Sequence, residues 1–175
     1  MIESEIKILA VEDSTPDRLR LRSLFEMSGN PFCFAWNSEL IAIPKVDEVM
    51  NILNLVKPET LILDLSWTVE DDIRMKKMIF KDIREIEDFI EREKKNTRTE
   101  DHLISGFRLL NKLEAECDNN KLPSKIFITT QYIPPVAFGL KHYIVEKYKK
   151  LFNRDDITME IFHKWRDEKK IRESL

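Results

Sequence analysis

Four short apolar runs in this 175-residue chain end in side chains able to do chemistry. IKILAV (6–11) ends in Glu12 and Asp13, and Leu61-Ile62-Leu63 ends in Asp64. KIFITT (125–130) closes on Thr129 and Thr130, and ITMEIF (157–162) is followed by His163 and Lys164. Three carboxylates facing one crevice repel each other unless a cation sits among them. Hard oxygen donors with room for water suit Mg²⁺, which takes a few carboxylates alongside phosphate oxygens. Lys164 offers a point positive charge to a phosphate, and a threonine hydroxyl offers a donor to a phosphoryl oxygen. Thr129 is preferred to Thr130 because Ile128 then points into the core. Together these are the parts for phosphoryl transfer onto a carboxylate, with Asp64 as nucleophile.

For these residues to meet, the runs must be parallel strands of one sheet. Leu61 to Leu63 is continuously apolar, as a strand buried on both faces is. In open parallel sheets, ligands bind at the carboxyl edge, where Asp64 would stand. Between the runs lie helical signals. Ser14 or Thr15 before Pro16 is a helix start, with Leu19, Leu21, Leu24 and Phe25 recurring near helical spacing and Gly29 as the stop. PheCysPheAlaTrp (32–36) reads as a second strand, and residues 37–43 either extend it or turn back as a hairpin. A second helix starts after Pro44, with Val46, Val49, Met50, Leu53 and Val56 on one face, and Lys57-Pro58 breaks it. Further helices are expected at 105–115, around 137–151 and at 166–174. The alternation β-α-β-α-β implies α/β architecture, with a parallel sheet and helices on both faces.

One stretch interrupts that alternation. From Thr68 to Ile104 there is neither Pro nor Gly, and Met75, Ile79, Ile83, Ile86 and Ile90 recur at steps of four and three. This spacing predicts a long amphipathic helix over about 70–95 with a narrow seam, serving core packing, a partner or self-association. The chain is therefore expected to be a single domain, 1–175, with a helical insertion at 68–104.

Composition narrows the function classes. With 29 basic and 32 acidic residues well mixed and a net charge of -3, the chain lacks the basic field of a nucleic-acid binder. Three glycines leave no Gly-rich phosphate loop. Cys33 and Cys117 have no metal-type spacing, and Cys33, among apolar strand residues, is expected to be a reduced, packed thiol. His102, His142 and His163 share no metal spacing either; His163 is adjacent to Lys164. No run has the length and apolarity of a membrane span, and a cytoplasmic protein is expected.

The set LAVEDS (9–14), KPETLILDL (57–65), SGFRLLNKL (105–113), IFITT (126–130) and IFHK (161–164) resembles, in order, the receiver domain of two-component response regulators. The resemblance implies a flavodoxin-like doubly wound five-stranded sheet in the order 2-1-3-4-5. It implies Asp64 as phospho-acceptor, with Glu12, Asp13, Asp64 and the Ser66 backbone carbonyl around Mg²⁺. It further implies Thr129 as the switch hydroxyl and Lys164 as the phosphate partner. The implied partners are a histidine kinase or phosphotransfer protein and a downstream protein, with the inserted helix over 70–95 as a candidate surface and a homodimer as another use of it. The chain differs from the family's usual pattern in three places. A long charged segment separates Asp64 from Gly106, Trp165 follows the lysine where proline is usual, and Ile161 stands where an aromatic is usual, with Phe162 next.

Two other classes fit parts of the pattern. A pseudo-receiver would keep the fold and bind proteins without phosphate. Asp64-Leu-Ser-Trp-Thr68 is faintly similar to the first motif of haloacid-dehalogenase-type phosphatases, but Ser66 stands where that family carries a second Asp. A signalling domain rather than an enzyme is the expectation.

Overall fold

The computed structural model describes residues 5–35, 45–67, 71, 73, 105–116, 122–131 and 138–175. Within them five strands form one parallel sheet: β1 (Ile8–Val11), β2 (Phe32–Phe34), β3 (Thr60–Asp64), β4 (Lys125–Thr130) and β5 (Thr158–His163). Their order is β2-β1-β3-β4-β5, the expected flavodoxin-like arrangement. The helices are α1 (Thr15–Ser28), α2 (Val46–Val56), α3 (Ser105–Glu116), α4 (Phe138–Lys147), α5 (Lys149–Phe152) and α6 (Glu168–Ser174). The helix expected over 70–95 and the hairpin alternative at 37–43 lie outside the described residues, apart from Asp71 and Ile73.

Strand parity sorts the core into two layers. Leu9, Val11, Leu61, Leu63, Ile126 and Ile128 pack with α2, α3, α4 and α5 on one face. Ile8, Ala10, Ile62, Phe127 and Phe162 pack with Leu21 and Phe25 of α1 and Ile171 of α6 on the other. Side chains alternate at every residue of a strand. The same count carried to the carboxyl edge puts Glu12, Asp64, Thr129 and Lys164 together on the α1–α6 face. Register holds them level, because Asp64 pairs with Thr129 and Thr129 with Phe162.

The caps follow sequence chemistry. Ser14 Oγ accepts from the Asp17 N–H, Pro16 sits in the first turn of α1, and Gly29 ends it at φ +71°. Glu48 accepts from the Lys45 N–H at 2.8 Å at the start of α2, and Lys57 ends it at φ +48°. Three expectations are corrected. Leu19 is 59% exposed rather than on the buried stripe of α1. The second strand is three residues long. The helix expected around 137–151 divides at Tyr148, whose buried hydroxyl donates to the Phe107 carbonyl at 2.9 Å.

Two contacts tie the segment after β3 to α3. The Gly106 N–H donates to the Leu65 carbonyl at 3.0 Å. A Cβ on Gly106 would lie 2.6 Å from Leu65 Cα and 2.9 Å from the Asp64 carbonyl oxygen, all backbone that cannot step aside. The buried Asp71 carboxylate accepts from the Trp67 N–H at 3.0 Å and the Ser105 N–H at 3.3 Å. The Trp67 indole, itself buried in the core, donates to the Asp64 carbonyl at 2.7 Å. Trp67 is thus a packing residue beneath the strand end.

Replacing Gly106 by Ala should cost about 3 kcal/mol, the upper end of the overpacking range, because the clashing atoms are backbone. Gly29→Ala, with open space around it, should cost only the left-handed penalty of about 1 kcal/mol. Urea unfolding of both variants checks the order, and equal losses would refute it.

Candidate functional site

The turn after β1 is shaped before any partner arrives. Arg18, one turn into α1, donates to the carbonyls of Glu12 (3.1 Å) and Asp13 (2.6 Å). The Ser14 N–H donates to Glu12 Oε1 at 3.0 Å. These bonds turn the Glu12 carboxylate towards β3 and leave Asp13 at the rim. Glu12, Asp13 and Asp64 then offer carboxylate oxygens all within 4.8 Å of one another, a group able to hold a metal ion.

Lys164 reaches into this group from the end of β5. Its Nζ lies 2.8 Å from Asp64 Oδ2, 2.8 Å from Glu12 Oε2 and 3.4 Å from Asp17 Oδ2. Its side chain is only 9% exposed, and Glu12 and Asp64 are less so. A cavity of about 360 Å³ opens over the cluster, bordered by Asp13, Asp64, Ser66, Gln131, Lys164 and Trp165. Thr129 is buried beside Asp64 in register, and its hydroxyl donates to the Leu63 carbonyl at 3.4 Å. The Ser66 hydroxyl is buried with no hydrogen-bond partner among the described residues.

All six residues singled out in the sequence therefore meet around one cavity and the groove beside it. His163 does not join them: its Nδ1 accepts from the Trp165 and Arg166 N–H groups, each at 3.2 Å, and so shapes the turn. Three participants went unrecognised. Arg18 and Asp17 were given no role in the site, and Trp165 was noted only as standing where proline is usual. Trp165 is 46% exposed, its indole donating to Asp17 Oδ1 at 3.0 Å with the Arg20 guanidinium 5.8 Å from its ring. The available signal was the tryptophan directly after the strand-end lysine.

Electrostatics follow from two buried carboxylates sharing one ammonium. Burial pushes Glu12 up to about 7, against the pull of Lys164. Burial and then the charge of Glu12 raise Asp64 well above the usual carboxylate range, again against Lys164. For Lys164, burial alone would favour the neutral amine, but Asp64 and Glu12 outweigh it and hold the ammonium charged. The pair thus carries one negative charge more than Lys164 offsets, which favours the protonated form of both carboxylates. A cation would relieve that excess as well, and the all-oxygen donor set fits a hard divalent ion.

In the folded protein Glu12 keeps its proton to about pH 7, against 4.5 for an ordinary glutamate. Its contribution to stability is fully present below the lower value and is lost as pH rises through the higher one. Asp13, Asp17, Asp64 and Lys164 face it throughout, and His163, held below its usual value by burial, works with the opposite sign. Glu12→Gln imitates the protonated form and leaves His163 in place. Without added metal, the unfolding free energy of Glu12→Gln relative to wild type should rise between about pH 5 and about pH 8. Urea titrations across that range check it, and a constant difference would refute the burial argument.

No family model matches the chain, and no curated protein does. Among solved structures it is similar to the N-terminal domain of a response regulator receiver protein from Methanoculleus marisnigri JR1. Sequence identity is 14% and the TM-score 0.47, over 96% of this chain and 91% of that one. No helix among the described residues is long and apolar enough to cross a membrane. The five-stranded parallel sheet in the order 2-1-3-4-5 is the flavodoxin-like doubly wound arrangement, and the acidic cluster stands at its carboxyl edge.

Proposed function

We propose that this chain is a phosphoacceptor receiver domain that takes a phosphoryl group on Asp64 and signals through altered protein contacts. One observation carries the reading: Lys164 Nζ lies 2.8 Å from Asp64 Oδ2 within a cluster of carboxylates at the sheet's carboxyl edge. The donor is a phosphohistidine on a kinase or phosphotransfer protein. An Asp64 oxygen forms a bond to phosphorus as the P–N bond breaks, and the imidazole leaves with the bonding pair and takes up a proton. Glu12, Asp13, Asp64 and the Ser66 backbone carbonyl would hold Mg²⁺, which when bound offsets charge between the carboxylate and the incoming phosphoryl group.

The chain's own residues do the rest. Lys164 is already charged and placed to pair with the product. Thr129 releases the Leu63 carbonyl to donate to a phosphoryl oxygen, and that movement alters the β4 edge next to Gln131. A downstream protein reads the change; no separate substrate is turned over. The expected helix over 70–95 remains the candidate surface for that partner or for self-association, and a cytoplasmic setting fits the proposed donor.

A second reading, a phosphate-independent interaction module, draws on the burial of Asp64 beneath Lys164. Intact-protein mass after incubation with a small acyl phosphate and Mg²⁺ separates the two. Wild type should gain one labile phosphoryl group and Asp64→Ala none. A folded wild type that gains nothing would favour the interaction module.

A further inference from the structure

Lys164 is held by three carboxylates, and they are not equivalent. Glu12 and Asp64 belong to the cluster able to take a cation; Asp17 does not. An ammonium has three N–H donors and no acceptor, so losing a carboxylate to a metal leaves it repelled by that metal and short of a partner. Asp17 stands just outside, at 3.4 Å, on the first turn of α1. Its other oxygen is fixed by the Trp165 indole at 3.0 Å, and Trp165 is the residue directly after Lys164. One carboxylate thus grips both the lysine and its neighbour from a separate helix. Burial alone would raise Asp17, but the Trp165 indole and the Lys164 ammonium hold it below the usual carboxylate range, which favours its charged form.

We propose that Asp17 is a positioning residue, the counter-ion that retains Lys164 beside Asp64 when a cation occupies Glu12, Asp13 and Asp64, with Trp165 holding Asp17 in place. The role rests on the phosphoacceptor reading for its use, but not for its test. Without metal, Glu12 and Asp64 hold Lys164 whether or not Asp17 is present. With metal, only Asp17 remains outside the donor set. Asp17→Asn keeps an acceptor for the indole and removes the charge that faces Lys164. Trp165→Phe keeps the charge and removes its anchor. Glu168→Gln removes one negative charge from the same groove without touching Lys164, and so controls for a general loss of charge.

The experiment is ¹⁵N NMR of the Lys164 ammonium in ¹⁵N-lysine-labelled full chain, assigned by its absence from Lys164→Gln, with Mg²⁺ alone as the probe. The protected ammonium signal should persist in wild type and Glu168→Gln at saturating Mg²⁺. It should persist in Asp17→Asn only without Mg²⁺, and Trp165→Phe should fall between. In parallel, the rate of adduct formation from a small acyl phosphate at saturating Mg²⁺ should fall about tenfold in Asp17→Asn, equivalent to 1.4 kcal/mol. It should change less than about twofold in Glu168→Gln, within the range of exposed charge effects. Retention of the signal in Asp17→Asn with Mg²⁺, an equal loss in Glu168→Gln, or loss of the signal in wild type with Mg²⁺ would each overturn the proposal. A wild type that shows the ammonium pattern but takes no phosphoryl group would overturn the phosphoacceptor reading and leave Asp17's role standing.

Discussion

Two carboxylates buried side by side with one ammonium between them are the condition the rest of this molecule serves. Ionised carboxylates are rarely fully buried unless paired, because desolvation costs several kcal/mol per ion. Here Glu12 and Asp64 lose their water and receive in return Lys164 and the Ser14 N–H. The compensation is incomplete by one charge, and this makes the site receptive to a proton or a cation. A better-compensated site would be more stable and less able to respond. Stability and responsiveness are in opposition at this edge of the sheet, as the raised Glu12 shows.

The scaffold meets this condition with parallel register. Four strands deliver their last side chains at one level, and the alternation that buries Ile62 and Phe127 against α1 also sends Asp64 and Thr129 to that side. A slip of one residue in β3 would exchange Asp64 for Leu63 at the site and place a carboxylate against the α2–α3 core. The apolar runs therefore position the chemistry as firmly as the polar residues perform it. Gly106 extends the same control to the loop, since only a residue without a Cβ lets α3 close on the Asp64–Leu65 backbone.

Much of this was legible in the residues. Asp64, Glu12, Asp13, Thr129 and Lys164 each follow an apolar run, and strand ends are where sequence period and chain direction give position directly. Leu19 misled because a helical stripe defined by spacing alone is wider than the face the sheet covers; Leu21 and Phe25 fill it. Asp17 was hidden for another reason. An acidic residue in a first turn is ordinary on grounds of the helix dipole, and nothing local says that a lysine almost 150 positions away will reach it. Trp165 was hidden likewise, because its partner belongs to a different element. Long-range polar pairs leave no periodic trace.

The Asp71 clasp has a consequence for how the chain can vary. By accepting from both Trp67 and Ser105, one carboxylate brings the two ends of the intervening stretch to hydrogen-bonding distance of a single point. Once its ends are joined, lengthening a stretch adds little entropic cost, about 0.6 kcal/mol for each doubling. The loop-closure cost of a longer or shorter stretch between Asp71 and Ser105 is therefore small. The place directly behind the Asp64 strand end becomes a socket at which this architecture can acquire new attachments while the charges in front of it stay fixed.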